Sequence, residues 1–145
     1  MIIGIIFSTE RNEATIRVVN WLKSALEQKG HDIKVGRPGN YQDFDCDGFI
    51  VGSAVYAFQV QKVLLEFLEE EQIHFQGKPL AIFIVCRFVW LAGRYKKSFL
   101  KTLPSKPITQ AVFKGYRNGE GNFESQKSRA IEWAREFEAK IKQGA

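Results

Sequence analysis

The sequence predicts an α/β fold: a doubly wound, five-stranded parallel sheet in the order 2-1-3-4-5, with helices on both faces. Short apolar runs at 2–7, 48–52 and 80–86 are what strands buried on both faces require. Between them, apolar residues recur at helical spacing. The two patterns alternate five times, which calls for right-handed crossovers onto one parallel sheet. At 145 residues, with no linker, repeat or low-complexity segment, the chain is expected to form a single domain over 1–145.

The first strand is the run at 2–7, rich in β-branched residues. A polar run from Ser8 to Thr15 follows, then a helix over 16–29 whose stripe is Val18, Val19, Leu22, Ala25 and Leu26. Gly30 closes that helix at the position where glycine takes a left-handed conformation without steric cost. Residues 31–35 form a short second strand, and Gly36, Pro38, Gly39 and Asn40 punctuate the loop after it. The third strand, 48–52, leads through Ser53, Ala54, Val55, Tyr56, Ala57 and Phe58 into a helix over 59–71. Strand four is 80–86, then a loop over 87–93 and a helix over 94–103 ended by Pro104 and Pro107. Residues 108–116 make strand five, 118–121 a turn, and 123–142 the last helix, with Trp133 at its edge.

In this order the topology switches between strands 1 and 3, and a ligand belongs beyond their carboxyl ends. The loops at that edge are 8–15, 53–58, 87–93 and 115–121. The first helix opens there with unpartnered amides and roughly half a positive charge, a natural site for a phosphate.

Composition sets outer bounds. Apolar residues make up 45% of the chain, an ordinary globular value, and no run approaches the length of a membrane span. The start of the sequence has no basic leader, so a cytoplasmic protein is expected. Cys46 and Cys86 lack metal-ligand spacing and read as buried, reduced thiols. His31 and His74 fall away from the active edge and are expected at the surface. The net charge is +5, and the cations concentrate between Arg87 and Arg117. That segment is either a solvated face or a surface that meets an acidic partner or an anionic membrane. No nucleic-acid motif accompanies it.

The loops choose among doubly wound proteins. No glycine lies between Gly4 and Gly30, which excludes a G-x-G-x-x-G dinucleotide loop, and there is no P-loop. Strand 3 ends in Val51-Gly52 where a phosphate-accepting receiver domain needs an aspartate. What remains resembles the flavodoxin family over essentially the whole chain. The likeness rests on Phe7-Ser8-Thr9 with Thr15, and on Gly52-Ser53-Ala54-Val55-Tyr56-Ala57. The second run is similar to the flavin-ring loop of the flavodoxin domains related to menaquinone-dependent protoporphyrinogen oxidase.

The resemblance implies a flavodoxin-like fold that binds FMN. Ser8, Thr9, Arg11, Asn12, Ala14 and Thr15 would hold the phosphate, and Ser53, Ala54, Val55 and Tyr56 would line the ring. Tyr56 or Phe58 would cover one ring face and Trp90 or Phe88 the other, while Arg87 would stabilise the reduced ring. The phosphate loop departs from the family: it is one residue longer, lacks glycine, and carries Glu10 and Glu13. Asn12 can stand in for the glycine, since it tolerates a left-handed backbone. The implied function is electron transfer with a redox partner protein or a quinone. The long segment that the protoporphyrinogen oxidase group carries before the last helix is absent. The alternative is a flavodoxin-fold binding or regulatory module that has lost its flavin.

Overall fold

The computed structural model describes residues 1–10, 14–115 and 123–144. Five strands form the parallel sheet: β1 (Ile2–Ser8), β2 (Asp32–Gly36), β3 (Gly48–Tyr56), β5 (Leu80–Cys86) and β6 (Thr109–Lys114). A two-residue strand, β4 (Gln59–Val60), pairs antiparallel with the end of β3. The order β2-β1-β3-β5-β6 is the expected 2-1-3-4-5 once β4 is set aside. The helices are α1 (Ala14–Glu27), α2 (Lys62–Glu70), α3 (Gln72–Phe75), α4 (Ala92–Thr102) and α5 (Lys127–Lys142).

Alternation along the strands builds two cores. Ile3, Ile5 and Phe7 of β1 and Ala81, Phe83 and Val85 of β5 point to one face, under α1 and α5. Ile6 of β1 and Leu80, Ile82, Ile84 and Cys86 of β5 point to the other, under α2, α3 and α4. Each fully buried Ile, Leu or Phe contributes about 2 kcal/mol, so the central strands hold both layers at once.

Local chemistry sets the ends of the elements. At Gly30 (φ +86°) the amide of Gly30 bonds the Glu27 carbonyl at 2.9 Å and His31 N–H bonds that of Leu26 at 3.3 Å, which closes α1 in a Schellman motif. At Gly52 the constraint is packing: a Cβ there would lie 2.0 Å from the ring of Phe83, its register partner on β5. The ring fills the space left by the missing side chain.

Several expectations need correction. The helix expected over 59–71 begins only at Lys62, because residues 59–60 fold back on β3 as β4. The last helix starts at Lys127, after a 3₁₀ turn at Phe123–Gln126, and a second such turn, Val89–Leu91, precedes α4. The His31 side chain is only 6% exposed, with Nε2 2.6 Å from Glu138 Oε2. Burial opposes the Glu138 charge, yet hydrogen bonds from His31 and Lys142 hold its carboxyl below the usual carboxylate range. Trp133 is buried too, its indole N–H donating to Thr109 Oγ1 at 3.0 Å. The turn expected at 118–121 lies outside the described residues.

Because the Phe83 ring is itself enclosed, Gly52→Ala is expected to cost about 3 kcal/mol in urea unfolding. A loss under ~1 kcal/mol would show that the ring can move aside.

Candidate functional site

β1 and β3 run in register up to the pair Ser8 and Ser53, where β1 ends and the chain turns towards α1. β2 and β3 lie on opposite sides of β1, so this is the switch point of the sheet. The first turn of α1 contains no acidic residue, and the leading amides of any helix have no intrahelical partner. Ser8, Thr9 and Thr15 are all buried there. Thr9 Oγ1 lies 2.8 Å from the Tyr56 hydroxyl, a bond that ties the loop after β1 to the loop after β3. Glu10 is exposed, away from the buried hydroxyls. Arg11, Asn12 and Glu13 lie outside the described residues.

The sequence reasoning missed Arg37. Its Nη1 donates to the Thr9 carbonyl at 2.9 Å and its guanidinium sits 4.9 Å above the Phe7 ring. The signal was available: β2 is parallel to β1, so the loop that follows it also emerges at the carboxyl edge. This brings a cation to the loop where a phosphate site is expected.

Beyond Ser53 the chain makes a β-hairpin. Val55 pairs with Val60 and Tyr56 with Gln59, leaving Ala57 and Phe58 as a two-residue turn at φ +51° and +60°. Two left-handed residues in succession suit the twist of a hairpin but favour Asn and Gly. Ala and Phe adopt this conformation at about 1–2 kcal/mol each. Such outliers cluster at functional sites. Ser53 is fully enclosed, and its hydroxyl accepts the Gln61 N–H at 3.1 Å while donating to the Ala54 carbonyl at 2.7 Å. That hydroxyl therefore fixes the start of α2. Ala54 is buried and Val55 half-buried, and Tyr56 is the residue of this run that reaches the loop after β1.

The hairpin tip meets the loop after β5. Phe58 and Phe88 stack with centroids 5.9 Å apart and planes 11° from parallel. Trp90 contacts Phe88 at 6.1 Å and is otherwise 77% exposed. Of the expected ring pairs, the structure thus brings together Phe58 and Phe88, with Trp90 beyond them. A planar ring between two others needs about 7 Å between the outer planes, so the pair has to part to admit one. Arg87 is exposed at the end of β5. Beside the hairpin, a groove of about 300 Å³ has Phe58, Val60, Leu65 and Tyr95 as apolar walls and Lys62 and Arg94 as cations.

Among the described residues of this edge, the side chains with nucleophilic or metal-binding chemistry are few. Cys86 is buried, and burial pushes its thiol up to about 11, so it stays protonated near neutral pH. Among the described residues, no three His, Cys, Asp or Glu side chains cluster as metal ligands. The edge offers amides, hydroxyls and a cation at one end and flat apolar rings at the other. That pattern suits a ligand with an anionic tail and a planar head.

Comparison with known proteins bears on family and fold. A flavodoxin-domain family model matches residues 5–127. Among solved structures, a short-chain flavodoxin associated with a PDU bacterial microcompartment superposes with a TM-score of 0.71 at 12% identity, over 97% of this chain and 99% of the other. The Fusobacterium nucleatum flavodoxin bound to flavin mononucleotide gives 0.67 at 17%, over 96% and 98%. The two-electron-reduced Megasphaera elsdenii flavodoxin gives 0.63 at 14%, over 90% and 98%. At such identities these structures speak to the fold alone. No curated protein gives a significant sequence match.

Relieving the strained turn is expected to stabilise the chain. Ala57→Asn, a residue at ease in the left-handed region, should raise stability by ~0.5–1 kcal/mol in thermal unfolding. A lower melting temperature would mean that the turn is not strained.

Proposed function

The chain belongs to the flavodoxin family, and from that premise we propose that it binds FMN at the carboxyl edge of β1 and β3 and serves in electron transfer. One observation carries the proposal: the buried hydroxyls at the mouth of α1 and the Phe58–Phe88 pair stand at the two ends of the edge, joined by the Thr9–Tyr56 bond. The α1 amides, the Thr9 and Thr15 hydroxyls and the loop braced by Arg37 would hold the FMN phosphate. Phe58 and Phe88 would flank the ring once they part. When bound, the flavin supplies the redox chemistry, and the protein's part is to orient it and to keep water from its faces. Arg87, at the same edge, adds positive charge that favours the more anionic redox state.

The exposure of Glu10 supports this reading, because a carboxylate turned to water opposes a dianion far less than one facing it. The Gly52-to-Ala57 run supports a closer kinship with the flavodoxin domains related to protoporphyrinogen oxidase, and with it a quinone as electron acceptor. A redox partner protein is the other acceptor class. The second reading, a module without flavin, is favoured by one observation: Thr9 and Tyr56 already satisfy each other, and the two phenylalanine rings already touch.

Titration with FMN and with riboflavin separates the two. On the flavin reading, FMN fluorescence is quenched, absorbance near 450 nm follows the protein, and riboflavin binds more weakly for want of a phosphate. Arg37→Ala should weaken FMN about tenfold while barely changing riboflavin, since a charge-assisted contact acts on the phosphate end alone. Phe88→Ala should weaken both ligands by about three- to tenfold through the lost stacking. A chain that quenches neither flavin at high micromolar concentration is a module.

A further inference from the structure

Charge in this chain is segregated. Residues 72–119 hold nine of the 21 Lys and Arg and none of the 16 Asp and Glu, so this stretch carries +9 and the remainder −4. It comprises β5, the loop after it, α4 and β6, which lie together at one side of the sheet. On α4 the exposed residues Arg94, Lys97, Leu100 and Lys101 share one face, opposite buried Tyr95 and Phe99. None of the three cations has a carboxylate within 4 Å among the described residues. The adjacent acidic helix, α2, places Glu66 against its own Lys62, and its Glu69 and Glu70 stand at the end away from the tip, where the last turn of α4 carries Lys101 and Gln72 Nε2 donates to the Thr102 carbonyl at 2.9 Å.

The same corner is capped by apolar side chains. Phe58, Phe88, Val89 and Trp90 project there as one contiguous cluster, with Trp90 the most exposed. A solvated basic face has no use for a tryptophan at its tip. A convex aromatic knob with flexible cations behind it matches the bilayer interface, where indole sits at headgroup depth and Lys and Arg reach anionic lipids.

We propose that this corner docks the protein on an anionic phospholipid surface, with Val89 and Trp90 entering the headgroup layer and Arg94, Lys97 and Lys101 facing the lipid phosphates. This goes beyond the flavin reading and does not depend on it. A flavin between Phe58 and Phe88 leaves Val89, Trp90 and the α4 cations in place. The charge pattern also orients the molecule: the net −4 of the remainder turns away from the surface as the +9 side approaches. An acidic protein surface is the rival occupant. It presents carboxylates at fixed points, whereas a fluid headgroup layer accommodates long side chains that nothing holds in place.

The test uses the whole chain, alone and saturated with FMN. It is mixed with vesicles of phosphatidylcholine, or of a roughly 7:3 mixture with phosphatidylglycerol, and followed by co-sedimentation and tryptophan emission. Trp21 and Trp133 are buried, so a change in emission reports on Trp90. The chain should bind the mixed vesicles and not the neutral ones, shift its emission to the blue, and dissociate as salt rises. Neutralising three cations in Arg94→Gln/Lys97→Gln/Lys101→Gln should lower partitioning about a hundredfold, at roughly fivefold per cation. Trp90→Ala should abolish the blue shift. The proposal is overturned if the mixed vesicles are ignored in both flavin states, or if the triple variant binds as the parent does. Tighter capture by polyglutamate or RNA than by the anionic vesicles would also overturn it, assigning the corner to a protein or a nucleic acid.

Discussion

The in-register pairing of β1 with β3 is the constraint from which the site follows. It runs from Ile3 and Gly48 to Ser8 and Ser53. At that point β1 gives way to a loop while β3 continues three residues further, to Tyr56. The difference in length raises the Tyr56 hydroxyl to where Thr9 can reach it. The hairpin then carries Phe58 over the edge towards the loop after β5. Shifting the pairing by one residue would exchange the two faces of β1, sending Ile3, Ile5 and Phe7 to the wrong core, and would also break the reach of Tyr56. Core packing and site geometry are thus fixed by the same ladder.

That dependence explains which parts were legible in the sequence. Continuous apolar runs read as central strands, so β5 was located to the residue, and strand order followed from the alternation of strands and helices. The end of α1 was legible because Gly30 has a mechanism. The hairpin was not, because its signal is ordinarily Asn-Gly, and here the left-handed pair is Ala57-Phe58. Residues 59–60 were absorbed into the helix that follows, since two residues hold no periodicity. Ser53 reads as a ligand-binding hydroxyl in a flavin-loop run, yet its partner is the Gln61 amide, a contact created only when β4 folds back. Arg37 carries no such signal, since Gly36, Pro38 and Gly39 around it read only as loop punctuation. His31 was misjudged for a similar reason: only the packing of α5 encloses it with Glu138.

The site in this structure is closed by its own side chains, and the magnitude of that closure matters. Freeing Thr9 from Tyr56 gives up about 1 kcal/mol, and parting Phe58 from Phe88 about 1 kcal/mol more. Together they reduce the affinity of an incoming planar ligand by about thirtyfold, unless the ligand replaces both contacts. A phosphate can take over the Thr9 hydroxyl, and a flavin offers each phenylalanine a larger face than the other ring does. For a ligand with both ends the exchange is therefore near balance, while a ligand with one end bears part of the cost uncompensated.

Topology also turns a local bias in composition into an oriented surface. In the order β2-β1-β3-β5-β6, every element after the switch point is added to the same side of the sheet until the chain returns in α5. A stretch of sequence that is basic throughout is thereby gathered on one flank. Had the same residues fallen in β1, α1 and β2, they would have stood on the opposite flank, beside the loop after β1 but away from Phe58 and Phe88. Here the cations flank the apolar tip and the site edge together. Any anionic surface they attract is brought to the side where the aromatic rings emerge, so attraction and electron transfer would act through one corner of the molecule.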